Sequence, residues 1–457
     1  MCGKGRNMML EYLITNCRYP DFAKGEFCVG NIGIKDGKID YIGEGEPEAK
    51  DVIDAGGHIL SPGFIDIHMH EENFHEGLHY VVAERMLRMG VTTAVGGNCG
   101  LQNQSIADFA AAIEKLGGAP INYLMLAGYN QCRYSLGIER YHQASKMERE
   151  KIRQILRREI AGGAIGVSFG IEYDPGMTTE EIIYACNAGE DPSLMMAAHY
   201  RADNDGAVDS IKEMIHIQNE IMFKFQISHL SSCSAMGQMD EVLKIIHEKM
   251  DEDPRFNYDT YPYNAFSTHI GSSVFEGEDP VSGWGKQYSD ILLTEPPFEN
   301  VRCDRETFMK VRSEYPDMLC VAFVMNEEEI RAAVADSYGM IASDAIIANG
   351  KGHPRAAGTF PRIMGKYVRE EGALSLFEAL RKCSHAPAER LQLANKGRIE
   401  IGADADLVIF DSDEIADKAT YTEPALPPVG IKFVFVGGRK ALVGQQIVDK
   451  AAGVLMR

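Results

Sequence analysis

The sequence predicts an α/β fold: a (β/α)8, TIM-like barrel carrying a small β-sandwich domain built from both termini. Three observations lead there. The central part of the chain alternates apolar strand-like runs with amphipathic helical stretches, the mark of repeated βα units, and eight such runs can be counted. Eight parallel strands with helical crossovers close most naturally into a barrel. Both ends have a different texture of short strands and turns, and neither end alone has enough strands to bury a core.

The elements follow in order. Residues 1–58 and 398–457 form the predicted small domain, and 59–397 the barrel. Short strands are expected at Met9–Asn16, Val29–Lys35, Ile39–Ile42 and Asp51–Asp54, with turns at Asp36-Gly37 and Gly43–Gly45. The last part returns to that texture at Ala405–Phe410, Ile431–Val436 and Lys440–Val443. The run from Ile59 to Ile67 reads as one buried strand, continuous rather than alternating, as a parallel sheet covered on both faces requires. Counted as eight, the barrel strands are Gly63–His68, Thr93–Gly97, Ile121–Leu126, Gly163–Phe169, Met195–His199, Lys224–His229, Phe256–Tyr261 and Met340–Asp344. Helices between them include Lys146–Ile160 and Val208–Glu220. The segment after Tyr263 is too long for a plain loop, so residues 266–305, rich in Gly, Ser, Pro and acids, read as an insertion overhanging the barrel mouth.

Composition narrows the class of function. The hydrophobic fraction of 45% and charged fraction of 25% are those of a globular enzyme. A formal charge of −21 sets the long-range field against phosphate backbones and anionic bilayers, so neither nucleic acid nor a membrane is expected as partner. A small-molecule substrate, which responds to local charge in a cleft, fits better. No apolar run reaches the roughly 20 residues that span a bilayer, and the N-terminal segment lacks the apolar core of a signal peptide. The ten cysteines are scattered without a CxxC pair, which points to a reduced, cytoplasmic chain rather than a disulfide framework.

The chemistry collects at strand ends. His68 and His70 are two apart, so on a strand they project to one side and reach one point in space. Neutral imidazoles placed so can hold a divalent metal. Strand two ends in Gly96-Gly97-Asn98-Cys99-Gly100, strand five in His199, strand six in His229 and strand eight in Asp344. In a barrel of this kind these ends share the face where active sites lie. A single histidine at a strand end is more often a hydrogen-bonded rim residue, but the same explanation would have to be repeated at five of the eight ends. Four imidazoles, a thiolate and a carboxylate are ligands enough for one or two divalent ions. His75, His79 and His353 lie in loops and read as surface or substrate-side groups.

These residues also fall in a known pattern. The entry Pro62-Gly63-Phe64-Ile65-Asp66-Ile67-His68-Met69-His70, the turn Asn98-Cys99-Gly100, Tyr261-Pro262-Tyr263, and His353-Pro354-Arg355 through Gly358-Thr359-Phe360-Pro361-Arg362 carry it over nearly the whole length. The chain resembles the amidohydrolase superfamily, in its N-acyl-D-amino-acid deacylase (D-aminoacylase) branch. The resemblance implies a tight Zn2+ on Cys99, His199 and His229, and a weaker second ion on His68 and His70 bridged by Cys99. It implies Asp344 as catalytic base, and Arg355, Ser267 and Tyr173 as the groups that bind the substrate carboxylate. The implied reaction is hydrolysis of the amide of an N-acyl-D-amino acid to a carboxylate and a free D-amino acid. One position departs: where family members carry a lysine two places after the strand-six histidine, this chain has Ser231, with Arg201 the nearby cation after strand five. The rival reaction is cyclic amide hydrolysis, as in dihydroorotases and hydantoinases, which place a carboxylated lysine at the end of strand four. Here Val167–Tyr173 contains no lysine. A non-catalytic binding barrel is a further rival, and the combination of ligands with Asp344 speaks against it, because a binding module has no use for a proton shuttle.

Overall fold

The structure is a computed structural model and describes residues 9–71, 80–189, 191–277 and 279–457. His75 and His79 lie outside the described residues. Among those residues the eight predicted barrel strands all form, most of them shorter than the apolar runs that announced them. They are Phe64–Asp66, Val91–Gly96, Asn122–Met125 with Ala127–Gly128, Gly166–Gly170, Met195–His199, Lys224–Ile227, Phe256–Thr260 and Met340–Ile341. Neighbours pair in parallel around the ring. The third strand is broken: its first piece pairs with strand two and its second with strand four. The ring closes where Met69 pairs in parallel with Ala345, backed by the His70 N–H donating to Ala345 O at 2.8 Å and the Asp344 N–H donating to His68 O at 2.8 Å. The chain thus adopts a TIM-barrel fold.

Side-chain alternation fills the barrel. Ile67, Val95, Leu124, Leu126, Met195, Ala197, Met340 and Ala342 form a core of their own inside the ring. Their neighbours Ala94, Tyr123, Met125, Met196, Ala198 and Ile341 face the surrounding helices. In strand five the inward series Met195, Ala197 leads two residues later to His199, so the parity that packs the core also aims the imidazole. The helix predicted over 146–160 forms as Lys146–Ala161 and is started by a capping box between Ser145 and Glu148. The one predicted over 208–220 forms as Ala207–Glu220.

Strands from both chain ends join in one nine-stranded sheet. Leu407–Phe410 lies between Ile431–Val436 and Ile59–Pro62, and Ile59–Pro62 meets the N-terminal strand Leu10–Asp21. One face, through Ile59, Val408, Phe410 and Val434, joins the barrel's core. The other face, through Leu60, Leu407, Ile409 and Phe435, packs with Ile14, Ile32 and Ile34 in a separate core.

Two expectations need correction. The run from Ile59 to Ile67 is two strands, Ile59–Pro62 in the terminal sheet and Phe64–Asp66 in the barrel. The break is Gly63, where a Cβ would fall 2.2 Å from Thr92 Oγ1, so only glycine lets the chain pass there. Continuous burial hides such a break, because both sheets bury both faces of the run. The insertion also runs beyond 266–305 and carries strands of its own. Phe266–His269 and Ile291–Leu293 both pair antiparallel with Leu319–Ala322. This small sheet is held on the barrel by Ser273 Oγ donating to Glu172 O (2.6 Å) and Trp284 Nε1 donating to Asp203 Oδ2 (3.2 Å). No helix among the described residues is long and apolar enough to cross a membrane.

Candidate metal centre

Three of the site residues stand in left-handed backbone: Cys99 at φ 51°, His229 at 35° and Asp344 at 49°. Such conformations cost a non-glycine residue about 1–3 kcal/mol each and persist where the surroundings impose them. Here each follows the end of a barrel strand, and the turn swings the side chain inward over the barrel. His229 is held by its N–H donating to Asp259 Oδ1 at 2.8 Å.

His229 is the pivot of the cluster. Its Nε2 lies 3.5 Å from Cys99 Sγ and 3.1 Å from His199 Nδ1. Cys99 Sγ in turn lies 3.4 Å from His68 Nε2. Ligand atoms on a tetrahedral zinc, with bonds of about 2.0–2.1 Å to nitrogen and 2.3 Å to sulfur, stand roughly 3.5 Å apart. The observed spacings are therefore those of a ligand sphere. His68, Cys99 and His229 each offer an atom within 4.8 Å of the others, and so do His68, His70 and Asp344. All five predicted nitrogen and sulfur donors are buried. The donor set fits a borderline-soft divalent ion such as zinc.

Electrostatics tell the same story from the protein's side. Burial opposes a thiolate at Cys99, but the imidazoles of His68, His199 and His229 outweigh it and hold the thiol well below its ordinary range. Burial also opposes charge on His68 and His229. For His68 the Cys99 thiolate and Asp259 override it and push the pKa up to about 9; for His229, Asp344 and the thiols push it up to about 10. The surroundings of these imidazoles thus favour positive charge, which a divalent ion would supply. Asp344 is buried too, yet Arg355 and the histidines hold its carboxyl well below the usual range. One of its oxygens lies 3.1 Å from His70 Nε2 and 3.4 Å from His68 Nε2, and the other 2.9 Å from Arg355 NH1.

The groups predicted for a carboxylate gather on the far side of Asp344. Arg355, 1% exposed, spreads over the Tyr261 ring at 4.8 Å and donates to Ser267 O at 3.3 Å. Ser267 Oγ, Arg355 Nε and Tyr261 OH are buried without a hydrogen-bond partner. Ser267 and Arg355 line one cavity, where such unpartnered donors invite an anion. Tyr173 lines the same cavity and sets its ring 4.6 Å from that of His199. The cavity holds about 310 Å3 and is also lined by His70, Cys99, Asp344, Arg355 and Ser267. Ser231 is buried and accepts from Thr260 Oγ1 at 2.7 Å, while Arg201 is spent on Glu213 and the carbonyl of Met177. Arg201 therefore does not supply the cation that Ser231 lacks.

Sequence reasoning missed four supports. Glu172 Oε2 lies 2.7 Å from His199 Nε2, which leaves Nδ1 free to face the cluster. Ser232 Oγ does the same for His229 Nδ1 at 2.6 Å. Cys233 Sγ stands 3.9 Å from both of those outer nitrogens. Tyr261 was read only as part of a motif. The signal for Glu172 was present in the strand-four end, where only a lysine had been sought.

His353 is corrected as well: it is fully buried, not a surface group. Its Nε2 lies 3.0 Å from Ala265 O and its Nδ1 accepts the Arg355 N–H at 3.0 Å, so the ring is held neutral. Burial, with Arg355 beside it, keeps its pKa well below the ordinary histidine value. Below about pH 6.5 the unfolded chain takes up a proton that the folded ring refuses. The stability this ring confers is present above that pH and is lost below it, by up to about 1.4 kcal/mol per pH unit, until the folded ring protonates as well. Urea midpoints between pH 7.5 and 5 should therefore fall more steeply for the native protein than for His353→Gln; equal slopes would refute the assignment.

Comparison with known proteins places the chain. Two models described as amidohydrolase family match residues 59–245 and 338–441. The D-aminoacylase of Alcaligenes xylosoxydans xylosoxydans is 29% identical over 93% of this chain and 92% of its own, and the N-acyl-D-glutamate deacylase of the same organism 28% over 89% and 88%. The crystal structure of N-acyl-D-glutamate deacylase from Bordetella bronchiseptica, complexed with zinc and a phosphonate inhibitor, superposes with a TM-score of 0.87 at 26% identity, covering 98% of this chain and 100% of that one. With its closed barrel, its donors at the strand ends and these relatives along nearly its whole length, the chain belongs to the amidohydrolase family, in the D-aminoacylase branch.

Proposed function

We propose that the protein is a zinc-dependent amidohydrolase that cleaves the amide bond of N-acyl-D-amino acids, releasing a carboxylate and a free D-amino acid. The observation that carries the reading is the position of Asp344, with one oxygen against the histidine cluster and the other against Arg355. An N-acyl amino acid has the same layout, its amide separated from its carboxylate by one carbon. Cys99, His199 and His229 would hold the tighter ion, and His68 and His70, next to Cys99, a weaker second one. When bound, zinc supplies Lewis acidity and acidifies water toward neutrality.

The chain's own groups do the rest. Arg355, beside Asp344 at the cavity wall, and the unpartnered Ser267 Oγ take the α-carboxylate, and so fix the amide over Asp344. Tyr173, whose hydroxyl burial keeps protonated, donates from the cavity wall. Asp344 accepts the proton of the attacking water and then gives it to the departing nitrogen, which is a poor leaving group until protonated. The strand-four end offers Glu172 and no lysine, which disfavours the cyclic-amide alternative. We also read the terminal sheet as a β-sandwich closed around Leu60, Ile409 and Phe435.

The test is a hydrolysis screen of the zinc-loaded protein with N-acetyl and N-formyl D- and L-amino acids beside cyclic ureides. Release of free D-amino acid with little turnover of the L-forms and the rings is expected. Preference for L-substrates or for rings overturns the substrate assignment.

A further inference from the structure

The cavity that begins at Cys99 and Asp344 has a second cation on its wall, Arg140, far in sequence from Arg355. Arg355 is committed to Asp344 and the α-carboxylate position. Arg140 is held loosely. It reaches the carbonyl of Gly271 at 3.4 Å and Glu276 at 3.9 Å, with Tyr141 beside it. Glu276 is shared with Arg312 at 3.8 Å, so two guanidiniums divide one carboxylate. Arg312 is turned to the carbonyls of Ile270 and Ser272, which leaves Arg140 as the member that faces the cavity. The wall beside it carries the hydroxyls of Thr268 and Ser272, and Ser272 Oγ is buried without a hydrogen-bond partner. An aliphatic group there would strip water from these polar groups and return nothing, whereas a carboxylate would accept from them. Asp317, also on the wall, exerts its charge on His269.

We infer that the preferred substrate carries a second carboxylate, remote from the scissile amide, and that Arg140 receives it. The inference rests on the reading of the protein as an N-acyl-D-amino-acid hydrolase. The second carboxylate can belong to the amino-acid side chain or to a dicarboxylic acyl group.

The experiment measures kcat/KM for N-acetyl-D-glutamate, its neutral isostere N-acetyl-D-glutamine, N-acetyl-D-leucine and N-succinyl-D-leucine, in the native enzyme and in Arg140→Met. The readout is the ratio of the acidic substrate to its neutral counterpart, glutamate to glutamine or succinyl to acetyl. A loss of folding or of general activity lowers both rates together and does not imitate a change in ratio. A charge-assisted bond at a partly exposed site is worth about tenfold. A native ratio of about ten or more, carried mainly by KM and falling toward one in Arg140→Met, supports the inference. A high glutamate ratio places the carboxylate on the side chain, and a high succinyl ratio places it on the acyl group. Native ratios near one for both pairs, or a high ratio that survives Arg140→Met, overturns it. If none of the four is hydrolysed while other amides are, it is the underlying reading that fails.

Discussion

Asp344→Asn is expected to lower kcat/KM by about a hundred- to ten-thousand-fold while zinc content stays at the native level. Asparagine keeps the shape and can still accept from Arg355, but it cannot take a proton from water or return one to nitrogen. The carboxylate lies 3.1 Å from His70 Nε2 and 3.4 Å from His68 Nε2, outside the Cys99, His199 and His229 set proposed for the tighter ion, so on that proposal the ion does not depend on it. Steady-state kinetics and metal analysis on the same preparation check both halves. Loss of the metal along with the rate would make Asp344 a ligand before a proton shuttle. Native activity would remove it from the mechanism altogether.

Cys99→Ala should lose both metal and activity, the latter to the limit of detection. The thiolate stands 3.4 Å from His68 Nε2 and 3.5 Å from His229 Nε2, and it is the sulfur donor shared by both proposed positions. Alanine meets the same left-handed backbone at this turn as cysteine does, so the substitution tests the sulfur and not the chain path. Zinc stoichiometry after equilibrium dialysis is the measurement. A variant with full zinc and no activity would point instead to a thiolate that attacks the carbonyl carbon itself, the one alternative role the residue could play.

Barrel strands such as Met195–His199 were legible because a parallel strand buried on both faces reads as a largely continuous apolar run. The candidate ligands were legible because they sit at or directly after the ends of those runs. What stayed hidden is what a one-dimensional pattern does not encode. Gly63 divides a run whose two halves are equally apolar, since each lies in a buried sheet. Leu319–Ala322 pairs with Phe266–His269 across some fifty residues of insertion, and such a distant antiparallel partner leaves no local mark. Glu172 and Ser232 act through hydrogen bonds to the outer nitrogens of His199 and His229, and that relation exists only once the strands are side by side. His353 looked like a loop residue because its neighbours are Gly, Pro and Arg; in the fold its ring packs against Tyr263 and Tyr421 and its Nε2 meets the carbonyl of Ala265.

The division at Gly63 has a mechanical meaning. Four residues of the ribbon are stitched to Leu407–Phe410, and the Gly63 N–H is tied to Asp406 O at 2.8 Å, only five positions before His68. The chain's two extremities are therefore guy-lines of the reaction chamber rather than ornaments on it. Cutting away the C-terminal strands would slacken the very stretch that carries the first imidazole.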